Sequence, residues 1–109
     1  MLEPLLGSLN RERVLVFILA RREGYARQIA RFFGVDLDPV QKQLERLELG
    51  GLLVSRSVGR TRVFSFNPRY AFLGETQALL DKALRFYPKG ERDRLLLHRR
   101  RPRRKGKPL

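Results

Sequence analysis

The sequence contains no cysteine and a single histidine, His98. The lack of cysteine excludes disulfides and thiolate metal sites, and it suits a reducing compartment. Long hydrophobic runs are also missing, because the apolar run over residues 14–20 spans seven residues and is too short to cross a membrane. The N-terminus lacks the basic and then apolar pattern of a signal peptide. We therefore expect a soluble cytoplasmic protein with no membrane partner.

Acidic residues are scarce relative to basic ones. The chain has 24 Lys and Arg against 11 Asp and Glu, which gives a formal net charge of +13. Such a field favours a polyanionic partner, either a nucleic acid or an anionic membrane surface. The charge is concentrated at one end, because residues 88–109 carry a net charge of +8 and residues 1–87 carry +5.

The length of 109 residues leaves room for one domain. We expect this domain to occupy residues 1–87, with a helix for dimerisation at about 70–87. Residues 88–109 are expected to form a basic, flexible tail. Three consecutive leucines within that tail could give it one turn of docked helix: Leu95, Leu96 and Leu97.

Leucines at the N-terminus suggest a short opening helix before Gly7, and apolar spacing predicts three more helices in the first half of the chain. The first of these three follows a cap at Ser8 or Asn10, and its apolar residues cover most of its sides, so we expect it to be the most buried element. A short helix over residues 25–33 ends at Gly34, since glycine tolerates the left-handed conformation of many helix ends. After the turn FGVDL, the third helix covers residues 37–49.

Two strands and a long helix follow. The stretches LLVSRSV and TRVFSFN are rich in β-branched and aromatic residues, and Gly59 lies between them, which predicts a β-hairpin. Pro68 ends the second strand, and apolar residues at helical spacing predict an amphipathic helix over residues 70–87. This order predicts a mainly α fold with a β-hairpin wing, the winged helix-turn-helix.

The helix over residues 37–49 has two faces of different chemistry. One face is an apolar stripe made of Leu37, Val40, Leu44 and Leu47. The opposite face is polar and basic, and it carries Gln41, Lys42, Gln43 and Arg46. A solvated helix face shows the same pattern, so the combination with the hairpin is what favours insertion into a DNA major groove. Contacts to the DNA backbone or the minor groove are expected from Arg27, Arg31, Arg56, Arg60 and Arg62.

Three stretches carry a resemblance to a known family: LLGSLNRERVLVFIL, YARQIARFFGVDLDPVQKQLERLELGGLL and VGRTRVFSFNP. They resemble the winged-helix transcriptional regulators of the arsenic-repressor-like (ArsR) superfamily. The pattern of the family's recognition helix is matched by Val40, Leu44, Arg46, Leu47, Gly51 and Leu52. The pattern of its wing is matched by Gly59, Arg60, Phe64, Phe66, Asn67 and Pro68.

The resemblance implies a homodimer that binds near-palindromic double-stranded DNA. It also implies that the helix over residues 70–87 pairs with its mate. The sequence departs from the family's metal sensors, because it has no cysteine and its single histidine lies in the tail. We therefore expect no metal and no cofactor. Asp38 and Pro39 replace the small residues common at the start of the family's recognition helix. The operator sequences of the family therefore do not predict the DNA sequence that this chain binds.

The apolar residues of the last predicted helix are too numerous for one side of a helix. We expect some of them to pack on their own domain and some on a second copy of the chain. The residues assigned to this dimer interface are Phe72, Leu79, Leu80, Ala83, Phe86 and Tyr87.

The sequence is also compatible with functions other than regulation of transcription, although it offers little for catalysis. The carboxylates are scattered, and a catalytic triad would need His98 from the tail, so we assign no catalytic residue and expect no enzyme. One alternative is a winged-helix adaptor or partner of a separate enzyme or toxin, with nonspecific nucleic-acid binding by the basic tail. Another is RNA or general chromosome binding dominated by that tail.

Overall fold

The computed structural model describes residues 1–100, with side chains through Leu96. This part of the chain forms helices and one small sheet. The helices are α1 (Glu3–Leu6), α2 (Leu9–Arg21), α3 (Ala26–Phe33), α4 (Leu37–Leu49), α5 (Leu73–Arg85) and α6 (Lys89–Arg100). The strands are β1 (Glu23–Gly24), β2 (Leu53–Val58) and β3 (Thr61–Phe66), and they form an antiparallel sheet in the order β1-β3-β2. The predicted order of helix, turn, helix and hairpin is confirmed.

Helix α2 is the centre of the core, as its apolar sequence predicts. It begins after Ser8, whose side-chain oxygen accepts a hydrogen bond from the backbone N–H of Arg11 at 3.2 Å. Val14, Phe17 and Ile18 have no exposed surface, and α2 contacts every other helix and two of the strands. Helices that are apolar on most sides are stable only when they are surrounded in this way.

The helix-turn-helix is formed by α3 and α4. Gly34 ends α3 with a φ of 67°, a left-handed conformation that costs glycine little. Asp36 then has extended backbone before α4 begins at Leu37. Val40 and Leu44 of α4 are fully buried, and both ends of the predicted stripe pack against the same core. The short turn therefore fixes the side of α4 that faces outward.

The hairpin of β2 and β3 has the predicted limits within one residue, and a third strand joins it. In β1, Gly24 pairs with Phe64 of β3. A Cβ atom at Gly24 would lie 2.9 Å from the ring of Phe17, so only glycine lets this strand approach α2 so closely. Two residues are too few to give a periodic pattern, which explains why the sequence did not predict β1.

The C-terminal segment differs from the predicted flexible tail. Helix α6 runs over Lys89–Arg100, and Leu95 is fully buried against the core. The guanidinium of Arg94 lies 4.5 Å from the ring centre of Phe32, and Arg21 donates to the backbone carbonyl of Leu95 at 3.3 Å. Apolar packing and arginine–aromatic contacts thus hold α6 against the core, although its basic composition had suggested a flexible tail in solvent. The rest of the predicted tail, residues 101–109, lies outside the described part.

Candidate nucleic-acid interface

The outward face of α4 is available to a ligand. Gln41, Lys42 and Arg46 are exposed, while Val40 and Leu44 on the opposite side are buried. The helix is anchored by contacts with α2, α3 and β2. Three of the four residues that we predicted to read DNA bases therefore lie on the surface of a rigid element.

A groove lies between this face of α4, the beginning of α3 and the wing, and we call it the wing groove. Its volume is about 390 Å³, and it is lined by Tyr25, Ala26, Arg27, Leu37, Gln41, Glu45, Arg60, Thr61, Arg62 and Phe64. Four of the nine predicted DNA-binding residues meet here, namely Gln41 and three arginines. The three arginines against one glutamate give the groove a positive balance, which attracts phosphate.

Gln43 does not belong to the outward face, which corrects the sequence prediction. It is only 9% exposed, and its side-chain oxygen accepts a hydrogen bond from Nε of Arg11 at 2.9 Å. Arg11 also donates to the backbone carbonyl of Leu6 at 3.0 Å, so Gln43 connects α4 to the beginning of α2 and the end of α1. The sequence does contain a sign of this burial, because Gln43 lies one helical turn before Leu47 and therefore at the border of the apolar stripe.

Arg56 lies on the other side of the wing from Arg62, so the structure does not bring these two predicted residues together. Arg56 pairs with Val63 across the hairpin, whereas Ser57 pairs with Arg62. Because successive side chains of a strand point to opposite faces, Arg56 and Arg62 are on different sides of the sheet. Arg56 forms an ion pair of 2.9 Å with Glu23. It lines a separate depression of about 410 Å³ and not the wing groove.

Arg62 is held in place where it lines the wing groove. It forms an ion pair with Glu48 of α4, and its Nε donates to the hydroxyl of Ser55 at 3.0 Å. Its guanidinium also lies 5.2 Å from the ring centre of Phe64. Glu48 and Ser55 could not be recognised from the sequence, because their contacts depend on how α4 packs against the hairpin.

The remaining predicted residues lie on exposed surface around this groove. Arg60 is in the turn of the hairpin and Arg27 is near the beginning of α3, and both reach the groove. Arg31, Lys42 and Arg46 are exposed on α3 and α4 outside it. These basic side chains are thus distributed over both helices and the wing tip.

The residues assigned to the dimer interface fall into two groups. Leu80 and Ala83 are buried in the chain's own core, which corrects their assignment to a partner surface. Phe72 and Phe86 are 62% and 69% exposed, and Leu79 is partly exposed. The apolar surface that a second copy could cover therefore lies at the two ends of α5.

Tyr87, the sixth of these residues, is used within the chain. Its hydroxyl donates a hydrogen bond of 2.6 Å to the carboxylate of Glu12, which is 1% exposed and also accepts from the backbone N–H of Leu2. Burial raises the pKa of Glu12, but these hydrogen bonds and the nearby N-terminal amino group outweigh it, so the pKa lies below its ordinary value. Burial and the contact with Glu12 raise the pKa of Tyr87.

Within residues 1–96 no group of three His, Cys, Asp or Glu side chains is placed to hold a metal ion. No helix of the described chain has the length and apolar character to cross a membrane.

Known proteins resemble this chain in structure rather than in sequence. No protein-family profile matches it, and no curated protein matches it. Reduced HlyU from Vibrio cholerae superimposes with a TM-score of 0.60 at 16% identity, over 81% of this chain and 86% of that one. A mutant of ZitR from Lactococcus lactis in its apo form superimposes with a TM-score of 0.54 at 16% identity, over 83% of this chain and 76% of that one. Both are winged-helix regulators of the ArsR/SmtB family, and the likeness shows that this chain has the winged-helix fold.

Proposed function

We propose that this protein is a sequence-specific DNA-binding transcriptional regulator of the ArsR-like type. The observation that carries the proposal is the outward face of α4, where Gln41, Lys42 and Arg46 are exposed beside a groove lined by three arginines. A helix of this kind fits the major groove, and polar side chains near its N-terminal half can reach base edges. The two structural neighbours are also regulators, which supports the same class of function.

The basic side chains around α4 have a separate task in this proposal. Arg27, Arg31 and Arg60 contact phosphates on either side of the major groove, and the wing tip approaches the neighbouring minor groove. Each phosphate contact adds about 0.9 to the slope of log affinity against log salt concentration on double-stranded DNA. The net charge of +13 supports strong binding to any duplex. The base contacts of α4 then provide the preference for one sequence.

The proposed regulator is a homodimer. Phe72 and Phe86 are large exposed apolar side chains at the ends of α5, and their burial in a dimer would remove them from water. Two copies related by a two-fold axis would place two α4 helices in successive major grooves, about 34–36 Å apart. The operator is therefore expected to be a near-palindrome.

Selection of bound sequences from a random duplex pool tests this proposal. Wild-type protein should enrich one near-palindromic sequence, while Lys42→Ala and Gln41→Ala should lose roughly 1–3 kcal/mol of base discrimination at the position that each residue contacts. Arg56→Ala is the matched control, because it removes an arginine from the far side of the wing. Enrichment of no sequence by the wild type would contradict specific regulation.

The competing view, in which the basic C-terminal residues do the binding, needs a different experiment. Because α6 packs on the core through Leu95, the change should begin after Arg100 and leave that helix intact. Removal of residues 101–109 should weaken binding to all duplexes and leave the selected sequence unchanged. If sequence preference disappears with these residues, α4 is not the reader.

A further inference from the structure

A ring of hydrogen bonds joins α4, β2 and β3 at the wall of the wing groove. The hydroxyl of Ser55 donates to Oε2 of Glu48 at 2.5 Å, and Nε of Arg62 donates to the same hydroxyl oxygen at 3.0 Å. Nη2 of Arg62 donates to Oε1 of Glu48 and closes the ring. Three elements of the fold therefore fix the position of one arginine.

These bonds leave part of the guanidinium available. Arginine has five N–H donors in a planar fork, and the ring uses the edge formed by Nε and Nη2. Within residues 1–96 no hydrogen bond uses Nη1 of Arg62, and the side chain is 53% exposed on the groove. The guanidinium also lies over the ring of Phe64, which is 4% exposed.

We infer that Glu48 is a positioning residue, which aims Arg62 at DNA in the wing groove. The inference rests on the proposed function, since duplex DNA is the ligand. An exposed arginine normally loses many rotamers when it binds, and this loss opposes affinity. The ring with Glu48 and Ser55 removes most of these rotamers before DNA arrives, so that the remaining donors of Arg62 are presented in one geometry.

The charge of Glu48 makes this role specific rather than general. The ion pair with Glu48 cancels much of the positive charge of Arg62, so the pair attracts phosphate weakly at a distance. Arg62 then acts mainly as a directional hydrogen-bond donor. It favours a DNA sequence whose shape places an acceptor atom opposite its remaining N–H groups. Glu48 therefore lowers nonspecific attraction and raises the preference for the correct sequence.

Glu45 provides a matched contrast on the same helix. It lines the wing groove one turn away from Glu48, and none of the hydrogen bonds or ion pairs among the described side chains joins it to Arg62. Its charge repels phosphate without holding any arginine in place. Of these two glutamates three residues apart, only Glu48 is thus expected to contribute to sequence preference.

Competition binding of the full chain tests the inference, with the duplex selected by the wild type and a scrambled duplex of equal length. Glu45→Ala should tighten binding to both duplexes and keep the preference unchanged or nearly so. Glu48→Ala should reduce the preference about tenfold, the usual effect of losing one well-placed charged hydrogen bond. Arg62→Ala should reduce it by a similar factor, and the double variant should lose little more.

Two measurements separate positioning from a loss of folding. The unfolding midpoint of Glu48→Ala should stay close to that of the wild type, and Glu48→Gln, which keeps one acceptor, should retain part of the preference. In nuclear magnetic resonance spectra without DNA, exchange of the Nε proton of Arg62 with water should become faster in Glu48→Ala. Faster exchange is expected only if Glu48 holds the side chain.

The outcomes distinguish this inference from the proposed function. If the wild type prefers one duplex and Glu48→Ala keeps that preference as Glu45→Ala does, Glu48 has no positioning role and the proposed function stands. If the wild type prefers no duplex, the proposed function fails and the inference fails with it. An unchanged Nε proton in Glu48→Ala would overturn the inference without reference to DNA.

Discussion

Helices α4 and α5 are both thirteen residues long, and both bury an apolar stripe against α2, yet their outward faces differ. The outward face of α4 is polar and carries charges of both signs, and it lies beside the wing groove. The ends of α5 carry the exposed rings of Phe72 and Phe86. The inward faces hold the fold together in the same way, so the difference in function must come from the outward faces.

The largest loss of folding stability is expected from substitutions on the inward faces, where α4 and α5 should respond alike. Leu44→Ala in α4 and Leu80→Ala in α5 each remove a side chain that is at most 1% exposed. Each should lower the free energy of unfolding by roughly 2–5 kcal/mol, measured by urea denaturation. Leu49→Ala is the control, because Leu49 is 90% exposed in the same helix as Leu44. If the substitution at either buried site lowered the free energy of unfolding as little as Leu49→Ala, that helix would not hold the fold together through its inward face.

A polar connection between α2 and Tyr87, just beyond the C-terminal end of α5, gives the next largest effect. Glu12→Gln replaces a buried carboxylate that accepts hydrogen bonds from Tyr87 and Leu2, and it should cost roughly 1–3 kcal/mol at neutral pH. The pKa of Glu12 is lower in the folded chain than its ordinary value of 4.5. Its contribution is therefore present above about pH 4.5 and is lost as the pH falls through the folded pKa.

Denaturation curves of the two proteins across the acid range check this expectation. The wild type should lose more stability than Glu12→Gln between neutral and strongly acid pH, and the two curves should approach each other at the acid end. Tyr87→Phe should move the acid transition to higher pH, because it removes a bond that lowers the pKa of Glu12. Parallel curves for the wild type and Glu12→Gln would show that the carboxylate is not coupled to folding.

The outward face of α5 should matter for self-association. Phe72→Ala and Phe86→Ala should each weaken the dimer by roughly 1–2 kcal/mol, since each removes a large apolar side chain from the proposed interface. Sedimentation equilibrium measures this change. Lys42→Ala on the outward face of α4 is the control, and it should leave the dimer intact. If the wild-type protein stayed monomeric at high concentration, the proposed homodimer would be wrong.

The smallest effects should separate the two sides of the wing. Arg60→Ala should reduce the salt slope of DNA binding by about 0.9, as expected for one phosphate contact. Arg56→Ala should leave that slope unchanged and cost less than about 1 kcal/mol of folding stability, because its ion pair with Glu23 is exposed. Equal slopes for the two variants would place both arginines in the same relation to DNA and contradict the difference between the faces.

Local patterns explain the parts of the fold that the sequence predicted correctly. The stripe of α4 follows from apolar residues three and four positions apart, and the hairpin follows from β-branched residues on both sides of Gly59. Alternation along β2 and β3 also indicates that Arg56 and Arg62 face opposite sides of the sheet, although both were expected to contact DNA.

Contacts between distant residues explain the parts that the sequence did not predict. Gln43 is buried because of Arg11, which lies 32 residues earlier in the chain. Helix α6 docks because Leu95 finds a place on the core and Arg94 meets the ring of Phe32. The three leucines indicated one docked turn, but the full length of that helix was not predicted, since charge along the sequence says nothing about which aromatic surface lies nearby.

The central claim is that the outward face of α4 enters the duplex. Mapping of backbone amide chemical shifts in the isotope-labelled full chain, titrated with the selected duplex, tests it most directly. We predict the largest changes at Gln41, Lys42 and the wing tip around Arg60, with small changes along α5. Changes confined to α5 or to residues beyond 100, with α4 unaffected, would contradict the account.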